Sequence, residues 1–186
     1  MKIIPLHNQT NQLIADAIQQ KREAQQELFE LYSPKMLGVC RQYVKDAHHA
    51  EDLLLSGFLK VFTHLSKFKY EGSFEGWIRR IMVNTCISYL RKKNPIQLTD
   101  EDFVFNDQAT QSLESTEVED IQKMIDGLPV GYKMVFNLYA VEGYKHAEIA
   151  NQLGITESTS KSQLFKARKW LQAQYLQLNN TVNGDK

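Results

Sequence analysis

Apolar residues recur at helical spacing along most of this chain, and no stretch alternates apolar and polar positions as a half-buried strand does. The pattern predicts a helix from Ala15 to Tyr32, with Leu28, Leu31 and Tyr32 at core spacing, broken or restarted at Ser33-Pro34. Met36, Leu37, Cys40, Tyr43 and Val44 carry the period onward, and Asp46 is a suitable N-cap for a helix from Ala47 to about Leu65. The apolar positions of that helix are Leu54, Leu55, Phe58, Val61, Phe62 and Leu65, with Leu59 beside them. A basic and aromatic loop, Ser66 to Gly72, leads into a helix from Ser73 to Lys93 that Asn94-Pro95 ends. Periodicity resumes at Ile121, Met124, Ile125 and Leu128, then at Met134, Val135, Leu138 and Tyr139, with stops at Pro129 and Gly143. Two further helices are expected, Lys145 to Leu153 and Glu157 to about Leu178, around Gly154-Ile155-Thr156. The fold class is all-α.

Charge divides this helical chain. The formal net charge of zero hides an uneven distribution: bases outnumber acids up to Lys93 and again beyond Asp120, whereas residues 94 to 120 hold eight acids and no Lys or Arg. Two helical domains, 1–94 and 120–186, are therefore expected on either side of a mobile or extended acidic linker, 95–119, in which Phe103, Val104 and Phe105 hint at an anchoring contact. A chain of 186 residues, 42% hydrophobic and 10% aromatic, can supply two small cores. No apolar run reaches signal-peptide or membrane-spanning length, so a cytoplasmic protein without membrane insertion is expected. Cys40 and Cys86 lie within apolar helical patterns and read as buried small hydrophobes.

Two helices carry the candidate chemistry. In SFEGWIRRIMVNTCISYLRKK, Phe74, Ile78, Ile81, Met82, Thr85 and Tyr89 form a face that can close a core. Trp77, Arg80, Asn84, Ser88 and Arg91 fall within roughly 80° of one another beside it. Guanidinium groups hold phosphate, an aromatic ring stacks on an unpaired base and a short amide reads a base edge, so this stripe suits nucleic acid. The plainer alternative is a solvated helix face with a buried Trp. HAEIANQLGITESTSKSQLFKARKWL has the form of a helix-turn-helix, with Thr156 as N-cap of its second helix. There Ser160, Leu164, Ala167 and Leu171 share an inward arc, while Ser158, Lys161, Ser162, Phe165, Lys166 and Lys169 face outward, as cations, hydroxyls and an apolar ring suited to a major groove. A basic solvated face would leave Phe165 unexplained. His48, His49, Glu51 and Asp52 have helical spacing for a metal but no second half, so no metal is expected, and Glu51 and Asp52 read better as a docking surface for a basic partner. No nucleophile or phosphate-cradling motif suggests catalysis or a cofactor.

With these motifs in view, the chain resembles the extracytoplasmic-function class of bacterial RNA polymerase sigma factors, from about Leu28 to Leu171. AEDLLLSGFLKVF and FEGWIRRIMVNTCISYLRKK occur in order in the first part, and LPVGYKMVFNLYAVEGY precedes EIANQLGITESTSKSQLFKARKWL in the second. The resemblance implies that Glu51, Asp52, Leu55, Ser56 and Phe58 dock on the clamp of core RNA polymerase. It implies that Lys69, Tyr70, Phe74, Trp77, Arg80, Asn84, Ser88 and Arg91 bind and melt the minus-10 element, capturing single-stranded non-template DNA. Ser158, Lys161, Ser162, Phe165, Lys166 and Lys169 correspond to readers of the double-stranded minus-35 element, and the acidic stretch to a linker towards the catalytic channel. An anti-sigma factor is a further partner open to the family. Three departures stand out: Leu55 and Ser56 replace a usual Gln-Glu, Ser160 a usual Val, and Lys145 a usual Ser or Thr N-cap. The expected function is promoter specificity without catalysis; the rivals are a stand-alone helix-turn-helix regulator and a helical adaptor that does not touch DNA.

Overall fold

The computed structural model describes residues 6–93 and 117–183, which are helical apart from short connections and contain no strand. The Phe103–Phe105 segment and nearly all of the acidic stretch lie outside the described residues. In chain order the helices are α1 (Leu6–Ile18), α2 (Arg22–Tyr43), α3 (Ala47–His64), α4 (Phe74–Lys93), α5 (Glu117–Gly127), α6 (Val130–Phe136), α7 (His146–Leu153) and α8 (Glu157–Asn183). A 3-10 turn, Leu65–Lys67, follows α3, and a π-helical turn, Asn137–Val141, extends α6. The chain divides into two compact units, Met1–Cys86 and Ile87–Lys186, with the division inside α4.

The first unit is a helical bundle. Leu28, Met36, Val39, Cys40 and Tyr43 of α2, Leu54, Phe58 and Val61 of α3, and Phe74, Ile78, Met82 and Cys86 of α4 are all buried. Helix α3 approaches α4 closely because residue 57 is glycine: a methyl group there would overlap the Met82 thioether. Asp46 caps α3 through its carboxylate, which accepts from the His49 N–H at 2.8 Å. Two expectations fail here. Helix α2 runs through Pro34 instead of breaking at it, and the real break lies between Ile18 and Arg22, where Gln20 has a φ of 61°. Pro34 is solvent-exposed, and burial of apolar residues before and after it outweighs the lost backbone hydrogen bond. Leu31, expected at core spacing, is exposed.

In the second unit α5, α6 and α7 each pack on α8. Leu128, Tyr132 and Ala167 form one buried cluster, to which Phe136, Trp170 and Leu171 add partly covered surface. Met134, Val135, Leu138, Ile149, Leu153 and Leu164 are also buried. Helix α5 starts at Glu117, inside the stretch assigned to the linker, and α8 extends past Leu178 to Asn183. Gly154, at a φ of 71°, ends α7 in the left-handed region, and the Thr156 hydroxyl accepts from the Thr159 N–H at 3.0 Å to start α8. The absent N-cap side chain at Lys145 is offset by Glu148, whose carboxylate accepts from the Lys145 N–H at 2.7 Å.

Candidate nucleic-acid interface

Helix α4 exposes the stripe that its sequence aligns: Arg80, Asn84, Ser88 and Arg91 are exposed and Trp77 is half-buried. Trp77 is held against Phe68 and Phe74, at ring-centroid distances of 5.6 and 5.8 Å. Phe74 in turn meets Tyr32 edge-on at 5.5 Å. Phe74 is therefore a core residue and a wall behind Trp77; it is buried and presents no face for stacking on a base. The loop before α4 supplies the accessible ring instead. Tyr70 is 48% exposed, lies 5.1 Å from Phe68 and has a φ of 60°, a conformation rare for a bulky residue. Lys69 beside it is exposed, so a cation and an aromatic ring project together from one short loop.

On α8 the outward stripe is also as expected. Ser158, Lys161, Phe165 and Lys169 are exposed, while Ser162 and Lys166 are half-buried at its margin. Phe165 is 69% exposed, an unusual position for a ring with no polar atom. Lys161 pairs with Glu157 at 2.7 Å, one turn earlier, which holds the Glu157 carboxyl below its ordinary pKa through that hydrogen bond and charge. Behind the stripe Ser160 and Gln163 are sealed from solvent with Leu164 and Ala167. The Ser160 hydroxyl is 2.9 Å from His146 Nδ1, so the polar residue that stands where an apolar one is usual has a partner across the α7–α8 contact. His146 stacks on Tyr139 of the π-helical turn, 4.7 Å away, and the Arg168 guanidinium lies over the other ring at 5.5 Å. Residue spacing does not single out His146 and reads Tyr139 only as part of an apolar period, whereas Arg168, seven residues after Lys161, has a helical spacing that places it near the stripe.

The outer face of α3 presents Glu51, Asp52, Leu55 and Ser56 to solvent. Phe58 is 2% exposed and packs on Phe29 at 4.7 Å, so it supports this face from within and is not part of it. Leu59, one turn beyond Leu55, is 69% exposed and extends the apolar surface. Cys40 and Cys86 are both fully buried. Among the described residues no group of three or more His, Cys, Asp or Glu side chains is placed to hold a metal ion, and no helix is long and apolar enough to cross a membrane.

Comparison with known proteins finds two family matches along the chain. The sigma-70 region 2 family matches residues 28–96, and the sigma-70 region 4 family matches residues 118–171. The chain is 27% identical over 180 residues to the ECF RNA polymerase sigma factor SigM of Mycobacterium tuberculosis strain Erdman, covering 95% of this chain and 90% of that protein. It is 26% identical to SigM of Bacillus subtilis, an ECF RNA polymerase sigma factor, over 86% of this chain and 98% of the relative. Among solved structures, the sigma factor RpoE bound to the anti-sigma factor NepR from Bartonella quintana shares the fold, with a TM-score of 0.52, 22% identity and coverage of 81% of this chain and 95% of that one. Two sigma-70 regions in order along the chain, each helical and each carrying an exposed cationic and aromatic helix face, place the chain in the sigma-70 family of RNA polymerase sigma factors, in its extracytoplasmic-function class, as a promoter-specificity factor.

Proposed function

We propose that the promoter is read by two helices acting on different forms of DNA. In residues 1–94, Lys69 and Tyr70 of the loop together with Trp77, Arg80, Asn84, Ser88 and Arg91 of α4 bind the minus-10 element and hold its non-template strand open. In residues 120–186, Ser158, Lys161, Ser162, Phe165, Lys166 and Lys169 enter the duplex major groove at the minus-35 element. The outer face of α3, with Glu51, Asp52, Leu55, Ser56 and Leu59, docks on core RNA polymerase, with Phe58 behind it. The polymerase carries out all chemistry; this cytoplasmic chain contributes binding energy alone and needs no cofactor. An anti-sigma factor of the kind bound by the Bartonella quintana protein is a further proposed partner.

The observation that carries this reading is the exposure of Tyr70 and of the Arg80, Asn84, Ser88 and Arg91 stripe beside a half-buried Trp77. Stacking a flipped base on an aromatic ring is worth about 1–3 kcal/mol, the scale of the cost of unstacking it from the duplex. A free-standing regulator has no need of a single-strand surface, and an adaptor has no need of either. Asn84→Ala and Arg80→Ala are expected to reduce permanganate reactivity of promoter thymines in the polymerase holoenzyme while leaving affinity for core polymerase unchanged. Equal loss of core binding and melting from both variants would reject the assignment of this stripe to DNA.

A further inference from the structure

Beside the reading stripe the recognition helix carries one further cation, Arg168, close to Lys161 at the margin of the stripe. Projected along α8, Glu157, Lys161 and Arg168 fall within about 40° of one another, on the edge between the outward stripe and buried Ser160. His146 reaches this edge from the start of α7: its Nδ1 lies 2.9 Å from the Ser160 hydroxyl, and its ring is stacked at 4.7 Å on Tyr139. Tyr139 is in turn covered by the Arg168 guanidinium at 5.5 Å. The groups facing the imidazole are therefore Lys161, Arg168 and Glu157 from α8 and the Tyr139 ring from the π-helical turn. Glu157 is engaged with Lys161 at 2.7 Å, and Glu148 on the same helix as His146 accepts from the Lys145 N–H. The edge thus gathers two permanent cations and one titratable ring with a single facing carboxylate.

We propose that His146 is a phosphate-contacting residue of the duplex interface, and that DNA backbone phosphates lying along this edge of α8 draw a proton onto its ring. With Nδ1 engaged by Ser160, Nε2 is the atom that donates to a phosphate oxygen once the ring is charged. In the free protein, burial first and then the Lys161 and Arg168 charges hold the His146 pKa below its ordinary value of 6.5, with Glu157 acting in the opposite direction. Folding favours the neutral ring, so this residue's contribution to fold stability is complete above pH 6.5 and declines as pH falls towards the lowered value. A phosphate reverses the sign of the local field. Binding then takes up a proton, and by linkage the affinity for DNA rises on acidification between the free and bound pKa values. The Tyr139 ring acts as a positioning residue, keeping the imidazole and guanidinium on one line. The inference rests on α8 being the duplex reader, and the test separates the two ideas.

A backbone phosphate contact is independent of sequence, so the probe is a short mixed-sequence DNA duplex at low salt with the full chain. The His146 ring proton, assigned by its loss in His146→Gln, is followed by NMR through a pH titration with and without saturating duplex. If His146→Gln does not fold, assignment proceeds by replacing His7, His48, His49 and His64 instead. The expected result is a free pKa below the ordinary His value and an increase of about one unit with duplex, with a matching increase of up to about tenfold in affinity between pH 8 and pH 5.5. His146→Gln loses this pH-dependent increase, and Arg168→Gln starts from a higher free pKa and shows a smaller rise. Duplex binding with an unmoved His146 pKa, or an equal pH slope in His146→Gln, overturns the proposal alone. Absence of any duplex association overturns the reading of α8 as well.

Discussion

Lys133 and Asp126 form an ion pair at 3.1 Å whose side chains are only 8% and 9% exposed, at the junction of α5 and α6. Desolvating two charges costs about as much as their attraction returns, so such a pair adds little net stability while it is whole. Removing one partner is different, because the other is left buried and unpaired. Asp126→Ala is expected to destabilise the second unit by about 3 kcal/mol or more, whereas Lys133→Met with Asp126→Leu is expected to lie within about 1 kcal/mol of the parent, read by thermal and urea unfolding. An Asp126→Ala cost below about 1 kcal/mol would mean that water reaches Lys133. Individual side chains were also the least legible feature of the sequence. Helical spacing puts Phe58 and Phe74 on core faces, where both are buried, and the resemblance assigns them to partners; Leu31, at core spacing, is outside because spacing does not say which edge of a face a neighbour covers. Ser160, which stands where the family usually has Val, is inward as its spacing predicts, and its hydroxyl meets His146.

Helices, unlike single residues, were largely readable because each buries a stripe that recurs every three to four positions. Caps at Asp46 and Thr156 and the glycine stop at Gly154 lie where local chemistry puts them. The errors are equally physical. Gln19, Gln20 and Lys21 contain neither Gly nor Pro, so the break between α1 and α2 has no local signal, and the π-helical turn that brings Tyr139 to His146 follows from packing on α7 and α8. Pro34 gave a false signal because a proline penalty of about 3 kcal/mol is smaller than what α2 gains by burying Leu28, Met36, Val39, Cys40 and Tyr43 on one continuous helix. That penalty is still present in the folded state. Replacing the exposed Pro34 with Ala restores a backbone donor, at the expense of a more flexible unfolded chain. Pro34→Ala is expected to stabilise the first unit by about 1–3 kcal/mol, seen as a higher thermal midpoint with unchanged core-polymerase affinity. A lower midpoint would show that the proline bend itself shapes the packing of α2.

At the scale of the whole chain, the balanced 22 basic and 22 acidic residues conceal two basic regions separated by an acidic stretch, and each basic region presents one cationic and aromatic helix. That arrangement predicts how promoter binding energy divides. Asn84 lies on α4 and Phe165 on α8, the two helices proposed to read different promoter elements. Loss of a base contact costs about 1–3 kcal/mol. Asn84→Ala and Phe165→Ala should each weaken holoenzyme binding to a promoter on that scale, the first only when the minus-10 element is intact and the second only when the minus-35 element is. Sites that share no partner add to within about 0.5 kcal/mol, so two independent readers predict that the double variant loses the sum. Affinity must be measured at one fixed salt concentration, since the phosphate contribution varies steeply with ionic strength and would otherwise obscure the comparison. A coupling energy above about 1 kcal/mol would place the two residues in one site and overturn the division of labour between α4 and α8.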